Sequence, residues 1–435
     1  MAAARGIIIA APASGSGKTI VTLALLRALK NRGVAVGCAK AGPDYIDPGF
    51  HAAAAGRSSV NLDIWAMRKD MLDRTTAAIS GELVICEGVM GLFDGAGQGG
   101  NLGSTADLAA HTGWPVILVV DAAKQSASVA ALVRGFAAHR ADVSLAGVIL
   151  NKVGSDRHAG MLRQALHEAL PDLAVLGAIP RDAALALPER HLGLVLAEEH
   201  PALDQLLDAA AAVVARSVDL DALQDLAAPR SSGAGGSLRP SAPGRRIAIA
   251  RDRAFAFVYP HLLDGWRADG AEILTFSPLQ DEAPAEQADF IFLPGGYPEL
   301  HGATLAGATR FRDGMKRAAA REVAIYGECG GYMVLGERLI DAGGTAHAML
   351  GLLPVTTSLA EPKRHLGYRA VDGLGGPWRG QSLRGHEFHY ARVTEAGNAA
   401  PLWSTCDADG AGLGEVGHVV GSVSGSFFHM IDRTA

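Results

Sequence analysis

Cysteine is scarce in this chain: four residues in 435, Cys38, Cys86, Cys329 and Cys406, with no CxxC pair among them. That is too few for a disulfide framework in a chain of this length, so a reducing, cytoplasmic setting is expected. Excess positive charge is missing too. With 39 Lys+Arg against 45 Asp+Glu the formal charge is −6, so nothing global attracts nucleic acid or an anionic membrane, and any bound anion must be held locally. No apolar run approaches the ~18 residues needed to cross a bilayer; GIIIAAPA and WPVILVV both stop early at turn or charged residues. A soluble protein is expected. The residues after Met1–Ala13 argue against reading that apolar start as a cleaved secretory signal. What the chain does have is apolar mass, 49% hydrophobic against 19% charged residues, which excludes wholesale disorder. Its length predicts two or three domains at about 150 residues each.

Short runs rich in Ile and Val recur between amphipathic stretches: GIIIAAPA (6–13), VAVGCAK (34–40), ELVICEG (82–88), PVILVVD (115–121), LAGVILNKV (145–153) and LAVLGAIP (173–180). Runs apolar on both faces predict buried parallel strands. Helical patterns such as TIVTLALLRALKNRG lie between them. At 227–244 the text becomes AAPRSSGAGGSLRPSAPG, without periodicity, and predicts a flexible linker. A second alternating series follows, at 245–252, 271–278, 288–296 and 323–331, with antiparallel additions expected around GHEFHYARV. The fold class expected is therefore α/β with two doubly wound domains, 1–226 and 245–435, joined by the linker 227–244.

The first strand runs through APASGSGKTI straight into a helix, the context of a phosphate-binding loop. Ser14, Gly15, Ser16 and Gly17 would turn backbone N–H groups toward phosphate oxygens, Lys18 would add a point charge and Thr19 would hold Mg²⁺. Pro12 stands where the first glycine of GxxxxGK[ST] falls. Candidate partners for a magnesium triphosphate are Asp44 and Asp47 after the second strand and Glu87 and Asp94 after the strand at 82–88, since loops at the carboxyl ends of parallel strands converge. Thr19, Asp44 and Glu87 are the candidate metal ligands. Each acid could alternatively be a helix cap or a solvated turn residue. Asn151 and Lys152 either reach a nucleotide base or simply end a strand.

In the second half, YGECGGYMVLG puts Cys329 on a glycine-flanked strand-to-helix turn, the pattern of a nucleophile elbow. A helix N-terminus there would favour the thiolate. Cys38 and Cys86, inside strands, are expected to pack as small hydrophobes. His429 in VGSVSGSFFHMI is the candidate base, with a structural histidine as the alternative. Gly296 and Tyr297 of LPGGYPELHG, with Gly330, are candidate oxyanion donors. HEFHY (386–390) has Tyr390 where HExxH needs histidine, so no zinc is assigned.

Taken in order, APASGSGKT, KAGPDYIDPGFH, CEGVMGLFDG, RIAIARDRAFAFVYPH, FSPL, LPGGYPELH, ECGGYMVLG, HEFHY and GSFFH resemble the cobyrinic acid a,c-diamide synthase family over nearly the whole chain. The first half is similar to the dethiobiotin-synthetase-like branch of phosphate-loop proteins, where Pro12 is unsurprising. The second is similar to class I, triad-type glutamine amidotransferases. The resemblance implies a cytoplasmic ligase of cobalamin biosynthesis. It implies that MgATP phosphorylates the c and then the a acetate of a corrinoid, hydrogenobyrinic or cobyrinic acid, and that ammonia attacks the acyl phosphate. L-Glutamine would supply the ammonia through a thioester on Cys329, with His429 as base; Asp44, Asp47, Glu87 and Asp94 would line the metal and acyl-phosphate site. The family's corrin groove would lie between the domains, with Arg251, Arg253, Lys363 and Arg364 as candidates for the ring's carboxylates. A homodimer is a further expectation. One departure stands out: triad enzymes usually carry Glu two places after the histidine, where this chain has Ile431. Asp432 would face the opposite way along a strand, which predicts a Cys–His dyad and slow or substrate-gated glutamine hydrolysis. Rival readings are amidation of another tetrapyrrole, by a cobyric acid synthase or a nickel sirohydrochlorin diamide synthase, and a switch NTPase with a scaffold domain.

Overall fold

In the computed structural model, residues 5–185, 189–190, 193–194, 196–229 and 241–434 are described. The chain divides into two compact units, one of Met1–Trp65 and Lys69–Gly236, the other of Ala66–Arg68 and Ser237–Ala435. Of the stretch expected as linker, 230–240 lies outside the described residues.

The first unit is built on a parallel sheet of β1 (Arg5–Ala10), β2 (Val36–Ala41), β3 (Ser59–Leu62), β4 (Leu83–Glu87), β5 (Val116–Asp121), β6 (Leu145–Val153) and β7 (Ala174–Pro180) in the order β3-β2-β4-β1-β5-β6-β7. All six runs expected as strands are present. β3 escaped prediction because SVNL is short and half polar. Ile7, Ile8 and Ile9 are completely buried, since a central parallel strand is covered on both faces. β8 (Ala228–Pro229) pairs antiparallel with the start of β1, so the first sheet continues past residue 226 into the composition shift. Helix α1 (Lys18–Asn31) starts at Gly17, which is in the left-handed region, and ten consecutive residues, 20–29, are buried because the sheet covers one side and α3 (Leu203–Ser217) the other. Helix α2 (Asp47–Ala55) has Pro48 in its first turn and ends at Gly56 in the left-handed region. Because β1 lies between β4 and β5, the loops after β1, β2 and β4 open at one end of the sheet.

The second unit has a central sheet of β9 (Arg246–Ala250), β10 (Glu272–Phe276), β11 (Phe290–Leu293), β12 (Ala324–Glu328), β15 (His418–Val420) and β16 (Val423–Ser426), ordered β10-β9-β11-β12-β16-β15 and parallel except for β15. β12 runs into α4 (Gly330–Leu335). An antiparallel sheet contains β13 (His365–Gly373), β14 (Ser382–His389) and β17 (His429–Arg433), with β14 in the middle of the three, as expected around GHEFHYARV. β16 is the polar VSGS, yet all four of its residues are buried. Its seryl groups are satisfied internally: the Ser426 hydroxyl accepts from the Trp403 indole N–H at 3.1 Å.

Candidate active sites of the two units

The loop after β1 turns on two glycines. Gly15 and Gly17 have φ of 82° and 88°, values that a side chain strains to adopt. At Gly17 a Cβ would also fall 2.4 Å from Asn151 Nδ2. Asn151 donates to the Ser16 carbonyl at 2.9 Å, and Lys152 donates to the Gly15 carbonyl at 3.0 Å and to Asp121 at 2.7 Å. These two residues therefore brace the loop from below, a role that neither reading of them had anticipated. Ser14 and Gly15 are exposed, while the Ser16 hydroxyl bonds back to the Ala13 carbonyl at 2.8 Å. Burial and the nearby Lys40 lower the pKa of Lys18.

Behind the loop lies a buried charge cluster. Lys40, at the end of β2, donates to Asp47 and, at 2.9 Å, to Glu87 Oε1. The Thr19 hydroxyl donates to that same Oε1 at 2.6 Å, and His51 Nε2 lies 2.7 Å from Glu87 Oε2. Burial pushes the Glu87 carboxyl up, but Lys40 and His51 outweigh it and hold it below the usual range. Burial would likewise deprotonate Lys40, yet Asp47 and Glu87 hold it charged. Asp47 is held up at about 6, by burial and then by Asp44. Asp44 spends Oδ1 on the N–H groups of Ile46 and Asp47 at 2.7 and 2.8 Å, the capping use weighed for it from sequence. Asp94 accepts from the Gly91 N–H at 3.1 Å, and the Leu92 N–H donates to the Ala11 carbonyl, so its turn lies against the phosphate loop. Lys40 and His51 were missed in the sequence. A lysine ending an apolar strand beside GPD, and a histidine four residues after Asp47 on one helical face, were the available signals.

As a magnesium site the cluster fits in part. Thr19 Oγ1 and Glu87 Oε1 form a pair of hard oxygens 2.6 Å apart at the foot of the loop, and Mg²⁺ usually takes one or two protein oxygens plus phosphates and waters. Among the described residues no group of three His, Cys, Asp or Glu forms a ready metal cage.

In the second unit Cys329 has φ 48° and ψ −105° between β12 and α4, the strained geometry of a nucleophile elbow. β16 runs parallel beside β12 with Ser426 opposite Glu328, and the Cys329 N–H donates to the Ser426 carbonyl at 2.8 Å. His429 begins β17 three residues later and pairs with His386 of β14. Cys329 and His429 both approach Gly295, where an added Cβ would stand 2.5 Å from His429 Cε1 and 3.4 Å from Cys329 Cβ. A Cβ on Gly330 would stand 3.1 Å from the Gly296 nitrogen, so these two candidate residues are neighbours. Tyr297 turns its ring edge-on to Phe257, 5.1 Å away.

The electrostatics correct one expectation. Burial, reinforced by Glu299, pushes the Cys329 thiol far up, and burial together with His386 and His389 pushes His429 well down. Both shifts favour the uncharged forms, thiol and neutral imidazole. Cys38 and Cys86 are completely buried in their strands, as expected. Asp432 is engaged by Arg68, whose Nε and Nη2 donate to its two carboxylate oxygens at 3.1 and 3.2 Å. Glu299 and Glu328 were missed. Burial holds Glu299 up at about 7 and Glu328 at about 8.

Residues 246–434 match the CobB/CobQ-like glutamine amidotransferase domain and residues 7–195 the CobQ/CobB/MinD/ParA nucleotide binding domain. The chain is 56% identical over 434 residues to a hydrogenobyrinate a,c-diamide synthase of Brucella abortus biovar 1 (strain 9-941), covering 98% of each chain. It is 54% identical to the enzymes of that name from Rhizobium meliloti (strain 1021), over 98% of this chain and 99% of the relative, and from Rhodobacter capsulatus, over 98% of each. With both halves matched in order and the similarity running end to end, the chain belongs to the hydrogenobyrinate a,c-diamide synthase family of glutamine-dependent, ATP-driven ligases.

Proposed function

We propose that this protein amidates the a- and c-acetate carboxylates of hydrogenobyrinic acid in cobalamin biosynthesis, consuming ATP and L-glutamine. The observation that carries it is 56% identity across 98% of the chain to relatives of that name. A metal-free corrinoid is favoured over cobyrinic acid for the same reason.

In the synthetase half, the phosphate loop of Ser14–Thr19 holds the triphosphate with backbone N–H groups and Lys18. Mg²⁺, held by Thr19 and Glu87, would neutralise charge on the phosphates. Asp44, Asp47 and Asp94 line the same end of the sheet, where an acetate oxygen attacks the γ-phosphorus and ADP leaves, giving an acyl phosphate. Lys40, kept charged by its two carboxylates, is suited to steady the transferring group. Ammonia then attacks the acyl carbon and phosphate departs.

In the amidotransferase half, Cys329 Sγ passes its proton to His429 and attacks the glutamine amide carbon. The oxygen that becomes negative is received by the N–H groups of Gly296 and Gly330, with Tyr297 following on the same loop. His429 returns the proton as ammonia leaves, and water hydrolyses the thioester to glutamate. A resting thiol and neutral imidazole support hydrolysis that awaits substrate. The exposed Arg251, Arg253, Lys363 and Arg364 remain the candidates for the corrinoid carboxylates. A homodimer in the cytoplasm completes this reading, and sizing and cell fractionation test it.

Mass spectrometry of products formed from MgATP and glutamine with hydrogenobyrinic and cobyrinic acids in parallel tests the assignment. Two acid-to-amide exchanges are expected on the metal-free ring. No exchange on either ring, with ATP hydrolysis intact, would redirect the search to another tetrapyrrole.

A further inference from the structure

Resting on Cys329 and His429 as nucleophile and base, we propose that Glu328 is a positioning residue that orients the His429 imidazole through Nδ1 and steadies the imidazolium formed when Cys329 gives up its proton. A carboxylate from the residue preceding the nucleophile thereby takes the part that, in triad enzymes, belongs to an acid following the histidine.

The geometry carries this. Glu328 Oε2 lies 3.8 Å from His429 Nδ1, and both side chains are essentially without exposure. The carboxyl is fixed from one other direction: Oε1 accepts from the Met430 N–H at 3.2 Å. Met430 follows His429 directly, so the carboxyl that lies 3.8 Å from the imidazole is tied to the strand that carries it. Two residues past the histidine stands Ile431, and the Asp432 carboxylate is taken up by Arg68.

The chemistry around the imidazole makes a nearby anion useful. His386 on β14 has its ring 4.9 Å from that of His429, and His389 of the same strand also opposes a positive charge there. Glu328, facing from β12, opposes them. A cation arising 3.8 Å away favours the ionised form of a carboxyl that burial otherwise keeps protonated. In the proposed step the Cys329 proton moves to His429 Nε2, sulfur bonds to the amide carbon, and the proton leaves with ammonia when the C–N bond breaks. Glu328 exchanges no proton with substrate and no bond to it forms.

A purely structural carboxyl, pinning β12 to β17, predicts a different response to substitution. Glu328→Gln keeps the size and the oxygen that accepts from Met430 but cannot ionise when the imidazolium forms. Its kcat for glutamine hydrolysis should fall by about tenfold or more, in the direction seen when a triad acid is neutralised. KM for glutamine should stay within about twofold, because the glutamine contacts are untouched. Alkylation of Cys329 by iodoacetamide, followed by mass spectrometry of its peptide, should slow in parallel. Glu328→Asp should recover part of both rates, and ammonia-supported amidation serves as the folding control. The proposal is overturned if the Gln variant keeps wild-type kcat and alkylation rates. It is equally overturned if both variants lose activity only in proportion to lost folded protein, with Asp no better than Gln. Full glutamine-dependent turnover by Cys329→Ala is a separate result: it removes the nucleophile assignment itself.

Discussion

Lys40 shows how a single residue can be decided by its neighbours. A lysine at 3% exposure would be expelled or neutral on its own, but Asp47 and Glu87 hold it charged. Lys40→Met should therefore remove the cation that Asp47 and Glu87 share and cost on the order of 3–5 kcal/mol, read by urea unfolding, with ATP turnover lost in whatever folds. Gly330 shows the opposite constraint, where a missing side chain matters. A methyl there would press on Pro298 Cδ at 2.8 Å and crowd the Gly296 nitrogen. Gly330→Ala should lower glutamine hydrolysis by roughly 10²–10³-fold, the cost of removing an oxyanion donor, while ammonia-supported amidation persists. Assays with each nitrogen source separate the two effects.

Among the elements, the phosphate loop is held as much by β6 as by its own glycines. Asn151 packs so closely against Gly17 that a Cβ has no room, and φ is unfavourable there as well. Gly17→Ala should abolish ATP turnover with glutamine and with ammonia alike, measured as ADP release. The junction of β12 and β17 carries a pH dependence. Glu328 titrates at about 8 in the folded protein against an ordinary value of 4.5, so the folded state holds a proton that the unfolded chain has released. That contribution is complete below 4.5 and lost as pH rises through about 8. The melting temperature of Glu328→Gln relative to wild type should therefore rise between about pH 5 and pH 9. A flat difference across that range would mean that Glu328 ionises freely.

For the whole molecule, the proposed division of labour is that one unit activates a carboxylate while the other releases ammonia. Cys329→Ala should lose glutamine-dependent amidation and keep the ammonia-dependent reaction, measured by product mass. Loss of both would argue that the thiol serves folding. The parallel sheets, the phosphate loop and the cysteine elbow were legible because each is local: short apolar runs, glycines at the strand exits, and a helix pattern directly after. Residues such as Lys40, His51 and Glu328 were not legible as a site, because a lysine, a histidine or a glutamate in a strand or helix reads as ordinary until burial and partners are known. The burial of the polar VSGS in β16 belongs with them, because the Trp403 indole that bonds Ser426 comes from a distant part of the chain. By itself the sequence determined the two α/β halves, their order and the family, since these depend on short-range periodicity and on motifs read in line. Only the tertiary structure decided which acids are charged, where Asn151 and Lys152 point, that Asp432 is spoken for by Arg68 and that Glu328 faces His429, because charge state and partnership depend on burial and on residues far apart in the chain.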